Sequence, residues 1–301
     1  MRAFGKSILF GNDNNKKFTE QDLPGNRREQ FIYLIRTRFS RLFGVNLLVF
    51  LFALPLIVWQ VLCLAYSLSL GEIGVENFGQ YFHHLLYYKS SLGLLLSIPA
   101  AYGIAGGIYT VRLMSWGEPI SLFRTFFKGI RLNLWQFTLF GILYGLFVGV
   151  YDAAVALLSF AYSGTDFARV ALHFGLILSA VLLISVAAFL IPLCSTYSIR
   201  TATAVKSSIG LVGKTMLKTL GVLCISVFPF AVMLAFGNVA VIFIAIALLF
   251  VFGFSYVIMV ISLYTNSIFD EVINARDYPD YYRRGLSTLR PKDESQGDED
   301  A

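Results

Sequence analysis

Side chains that could ligate a metal or attack a substrate are scarce in this sequence, which has three histidines and three cysteines. His83 and His84 are adjacent, follow Glu72 and Glu76, and have His173 as their only other counterpart. Imidazole and carboxylate are ligands that zinc accepts, but neighbouring residues on a helix or strand point in different directions. The pair therefore reads as solvated loop histidines, and no metal site is assigned. Cys63, Cys194 and Cys224 all lie in apolar runs without motif spacing, as expected of small buried hydrophobes rather than a disulfide or ligand set. Gly213-Lys214-Thr215 has the ending of a phosphate loop, but the position of its first glycine is Ser208 and no strand precedes it. Neither Gly-x-Ser-x-Gly nor His-Glu-x-x-His occurs. No catalytic residue and no cofactor are assigned, and the chain is expected not to be an enzyme.

The elements that must carry these residues are long and apolar. Hydrophobic residues make up 57% of the chain and charged ones 14%. Residues 42–71, 90–111, 132–151, 170–199 and 219–269 contain no Asp, Glu, Lys or Arg. A helix needs roughly 20 apolar residues to cross a bilayer, so the first four runs hold one span each. The last is long enough for two, turning at Phe236-Gly237-Asn238. The expected fold is all-α: a polytopic membrane protein of six transmembrane helices in three hairpins, residues 42–269. A cytoplasmic N-terminal segment, 1–41, precedes it, and a cytoplasmic tail, 270–301, follows. The first forty residues are polar and basic without a signal-peptide core, so the first span is the insertion signal.

The net charge of +6 raises the question of nucleic acid, which the placement of the cations answers. Of the 24 Lys and Arg residues, 22 fall before residue 42, in 112–131, in 200–218 or after 269, and the alternate loops hold only Lys89 and Arg169. By the positive-inside rule both termini are cytoplasmic, and no nucleic-acid partner is required. Within 119–131, Ile120, Phe123, Phe127 and Ile130 form one helical stripe and Arg124, Lys128 and Arg131 another, with Pro119 suited to the first helical position. Such a helix rests on anionic lipid at the inner face, or alternatively docks a cytoplasmic partner. A second copy precedes the first span: Phe31, Leu34, Ile35, Phe39 and Leu42 alternate with Arg28, Arg36, Arg38 and Arg41. A third, with Lys206, Lys214 and Lys218, precedes the fifth.

Three copies of basic linker, span, short outer loop and span suggest parallel hairpins, and the returning spans end alike, in Tyr109-Thr110, Tyr197-Ser198 and Tyr264-Thr265. Gly103 with Gly107, and Gly141 with Gly145 and Gly149, place small residues on single helix faces where a neighbouring helix packs closely. Pro55, Pro99, Pro192 and Pro229 each interrupt a span. No ionisable residue lies mid-span, Asp152 marking the outer water boundary.

The run Arg38-Phe39-Ser40-Arg41-Leu42-Phe43-Gly44-Val45-Asn46-Leu47-Leu48, continuing to Leu54-Pro55-Leu56-Ile57, resembles the opening of the YesL-like family of uncharacterised bacterial membrane proteins. Phe269-Asp270, Ile273-Asn274, Tyr278-Pro279 and Tyr281-Tyr282-Arg283-Arg284-Gly285-Leu286 are similar to how its longer members end. Where the family continues with threonine and glycine after the first Leu-Pro, this chain has Leu56-Ile57-Val58-Trp59. The resemblance implies a six-helix fold in the bacterial cytoplasmic membrane and a frequent association with carbohydrate-uptake genes, and it implies no known activity or catalytic residues; the leading expectation is a non-enzymatic accessory protein with a membrane transporter as its partner. A carrier or channel for an uncharged small solute is the alternative expectation, and a membrane enzyme the disfavoured one.

Overall fold

The structure, a computed structural model, describes residues 23–71, 75–162, 164–197, 199–235 and 239–287. Among these residues every regular element is helical. The expected turn at Phe236-Gly237-Asn238, the lead-in before residue 23 and the acidic end after 287 lie outside them.

Helix α1 is Arg27–Ser69; α2, Val75–His83, passes through a π-helical turn, His84–Ser90, into α3, Ser91–Ser115. Helix α4 is Leu122–Leu132, α5 Leu134–Ala156, α6 Asp166–Thr196 and α7 Thr201–Ala235. Helix α8, Val239–Leu248, joins α9, Phe254–Phe269, through another π-helical turn, Leu249–Gly253. Six of these stretches are long and apolar enough to cross a membrane, so the protein is a polytopic membrane protein of six spans. A hydrocarbon phase leaves no partner for an open backbone, and helices satisfy theirs internally.

The three basic segments join their spans in one manner. Arg38 (φ −124°, ψ 16°), Asn133 (φ −129°, ψ 29°) and Thr215 (φ −126°, ψ 19°) leave the helical region at the junction of each basic segment with the span after it. A single residue near ψ 0° bends the chain without a loop. The first and third basic segments are therefore not separate linkers but the leading parts of α1 and α7. Only α4 stands between two spans as a helix of its own, and it starts at Leu122 behind Ser121, leaving Pro119 in the preceding loop rather than at the first helical position. The expected segment limits at residues 41 and 269 fall within continuous helical structure.

Helix α3 is the hub, packing on α1, α4, α5 and α9. Glycines make these approaches close. A Cβ on Gly103 would sit 2.8 Å from Phe52 Cβ, and one on Gly107 2.9 Å from Val49 Cγ2, both on α1. On the other flank of α3, Cβ atoms on Gly141 and Gly145 would lie 2.7 Å from Ile98 Cα and 2.6 Å from Leu94 Cα, and one on Gly149 3.1 Å from Ser90. Ser97, buried between these helices, donates to the Gly141 carbonyl at 2.6 Å. The five glycines thus face other helices of the same chain. Gly106 and Gly129, outside the small-residue pattern, admit the ring of Phe126 and the side chain of Tyr109 in the same way.

The spans do carry one buried polar clip. Asn46 on α1 donates to the carbonyls of Leu249 (3.2 Å) and Phe250 (2.5 Å) and accepts from the Ser255 amide (3.0 Å). These are backbone groups in and beside the π-helical turn, which the turn's wider winding takes out of the ordinary helical ladder. The Asn46 amide satisfies them inside the protein, so the irregularity persists at membrane depth.

Candidate functional site

The two ends of the bundle differ in chemistry. At the basic end, Leu122, Phe126 and Ile130 of α4 are buried, Phe126 completely, so this helix is seated in the bundle rather than lying loose beside it. Its apolar face is turned from the expected one: Ile120 and Ile130 are buried, but Phe123 and Phe127 remain 46% and 42% exposed and Phe126 takes the core position. Arg124, Lys128 and Arg131 are exposed along the outer face. On α1, Arg36 is exposed, whereas Arg38, at the bend, and Arg41 are half-buried. Cations beside exposed Phe123, Phe127 and Phe39 make a rim of the composition that amphipathic interfacial helices have.

Inside that rim lies a polar knot that periodicity could not reveal. Arg27 and Asp270 pair at 2.6 Å, with side chains 11% and 10% exposed. Asn274 and the Arg283 amide donate to the other Asp270 oxygen at 2.8 and 3.1 Å, and Tyr197 donates to Asn274 at 2.5 Å. Burial, reinforced by the Asp270 charge, pushes the Tyr197 hydroxyl above its ordinary pKa, so it stays a donor. Gln30 donates to the Ser115 and Gly285 carbonyls, and the Ser287 amide to that of Pro24. Gly285, at φ 81° against the Ser115 carbonyl, leaves no room for a side chain. The Arg112 guanidinium lies 4.8 Å from the ring centres of Tyr109 and Trp116 and donates to the Ser195 carbonyl, while Arg284 covers Trp116 at 4.6 Å and pairs with Glu118. Residues 270–287 are therefore packed on the bundle and close its first helix onto its last. The one early signal was Asp270 itself, the acid that ends the longest uncharged run.

At the opposite end the histidines are not in a loop. His83 ends α2 and His84 opens the π-helical turn. Their rings serve different neighbours, His83 stacking on Tyr87 at 4.5 Å and His84 lying tilted against Tyr66 at 4.0 Å. No group of three His, Cys, Asp or Glu side chains converges among the described residues. His173 instead meets the Arg169 carbonyl one turn before it. Asp152 does more than mark a boundary, for it pairs with Lys89 at 2.7 Å. Cys63 and Cys194 are buried as expected, but Cys224 is exposed on the flank of the bundle.

Two cavities open at this end. One, about 420 Å³, is lined by Trp59, Tyr66, Gln80, His83, His84 and Tyr88. The other, about 250 Å³, reaches Gly145 between α1, α3 and α5 and is lined by Gln60, Lys89, Ser90, Tyr144 and Asp152 among others. The Trp59 indole N–H, 3.4 Å from the Lys89 carbonyl, links their walls. No family model, curated protein or solved structure matches the chain.

Proposed function

We propose that the chain is a non-enzymatic protein of the bacterial cytoplasmic membrane, with both termini cytoplasmic, that acts as an accessory to a membrane transporter. The reading is carried by the shelf α4: Phe126 fixes the helix in the bundle while Arg124, Lys128 and Arg131 face outward. A pre-seated cationic face meets anionic headgroups or an acidic partner without first having to be ordered. Its main role is to hold the inner face of the bundle against anionic lipid. The association with uptake, and with carbohydrate in particular, comes from the YesL-like motifs quoted above.

Crosslinking in native membranes followed by purification tests this reading. A stoichiometric transporter subunit accompanies the wild-type protein, and Arg124→Gln, Lys128→Gln and Arg131→Gln together retain that partner while amide exchange in α4 speeds up. Wild-type protein that purifies without any transporter refutes the accessory role. Loss of the partner from a correctly inserted triple variant refutes the lipid role and makes the shelf the docking surface. A second reading, a carrier for an uncharged small solute, is favoured by the polar cavity that enters the bundle between Lys89 and Gly145.

A further inference from the structure

We infer that the two linked cavities opposite the basic end form one binding site for an uncharged, ring-shaped solute bearing several hydroxyl groups. The inference rests on the second reading above and specifies its ligand; it is independent of the shelf.

Charge comes first. Lys89 and Asp152 are the ionised groups of the lining, and their contact at 2.7 Å makes the site neutral as a whole. Each side chain is about one quarter exposed, so the pair borders the cavity rather than being sealed from it. An ammonium carries three donors and a carboxylate about four acceptor positions, and one contact uses one of each. The remaining donors and acceptors suit hydroxyl groups, which both give and receive hydrogen bonds. A hydroxyl ligand leaves the pair intact, whereas a ligand with net charge must break it or bury a charge without a counterion. Gln60, Ser90 and the Tyr144 hydroxyl extend the same neutral bonding capacity.

Shape comes from the rings. His84 stacks on Tyr88 at a centroid spacing of 5.7 Å and lies tilted against Tyr66 at 4.0 Å, and Trp59 lines the same cavity. Flat faces select a ligand with a flat or C–H-lined face of its own. Depth comes from the reach of the smaller chamber along α5, from Asp152 to Gly145. From Asp152 to Gly145 the helix rises about 10 Å, enough for a ring to enter edge-on. The larger cavity alone, about 420 Å³, falls in the range of small-molecule sites, roughly 300–1,000 Å³.

Isothermal titration of the full-length protein in nanodiscs, without sugar-headed detergent, tests the inference with glucose, galactose, ribose and myo-inositol as neutral probes, and glucuronate and glucosamine as charged ones. At least one neutral probe is expected to bind saturably, and more tightly than either charged probe. Tyr88→Ala, at a position 55% exposed and so harmless to the fold, is expected to weaken that binding about tenfold. Lys89→Ala with Asp152→Ala, which removes both charges together, is expected to abolish it. Failure of all four neutral probes, tighter binding of a charged probe, or indifference to Tyr88→Ala in a protein of unchanged melting temperature would overturn the assignment. Uptake assays in proteoliposomes separate it from the carrier reading, because binding without uptake supports the site and refutes the carrier.

Discussion

Alanine at Gly145 and at Gly175 should change stability in opposite directions, although both substitutions add one methyl group to a helix in a membrane span. At Gly145 the new Cβ would lie 2.6 Å from Leu94 Cα and 2.9 Å from Ser97 Oγ. Carbon atoms in contact sit about 3.5–4.0 Å apart, so α3 and α5 must separate by roughly 1 Å. The obstacle is backbone, which cannot turn aside as a side-chain tip can. Because α3 also holds α1, α4 and α9, the displacement spreads through the bundle. Overpacking costs about 1–3 kcal/mol. Alanine's better helix propensity returns up to about 1 kcal/mol. Gly145→Ala should therefore destabilise by about 1–2 kcal/mol, and Gly145→Leu by more. At Gly175 nothing lies within 4 Å of the added Cβ, so only the propensity gain remains. On a scale of about 2–4 °C per kcal/mol, the two alanine variants should melt roughly 5–10 °C apart. Leu146→Val, at a residue 49% exposed, should fall close to wild type. Thermal unfolding of the solubilised protein, followed by fluorescence and gel filtration, measures the gap. A Gly145→Ala protein that melts at or above Gly175→Ala would refute glycine-mediated packing of α3 on α5.

Two further outcomes are expected. In a cysteine-free background, Gln80→Cys and Thr165→Cys should react with an impermeant thiol reagent added to whole cells, whereas Glu118→Cys should react only after the membrane is opened; labelling of the last in intact cells would overturn the assigned orientation. Asp270→Ala leaves Arg27 buried without its counterion and should cost about 3–5 kcal/mol, read as a large fall in melting temperature, whereas Arg27→Met with Asp270→Leu should recover much of it; equal losses in the single and double variants would show that the ion pair is not the cause.

The membrane fold was legible because its determinants are local. Span length follows from uncharged runs such as 42–71, and the ends of each span from the charged residues that bound it. Both are properties of consecutive residues, so a linear reading captures them. The basic segments were legible for the same reason, as charge against apolar residues at helical spacing. That reading could not fix which stripe would meet protein: Phe126 was passed over for Phe123 and Phe127, because the choice depends on Gly106 being opposite.

Everything that joins distant residues was settled by tertiary structure. Arg27 and Asp270 are separated by nearly the whole chain, and neither carries a local mark of the pairing. Asn46 carries no sequence signal of its role, because the π-helical turn that exposes backbone groups for it to bind lies about two hundred residues away. Lys89 and Asp152 lie on different helices, and His83 and His84 were read as loop residues because a π-helical turn has no signature in composition. A sequence records which residues are neighbours along one helix; which helix faces which, and hence where charges pair and cavities open, follows from how closely their surfaces pack.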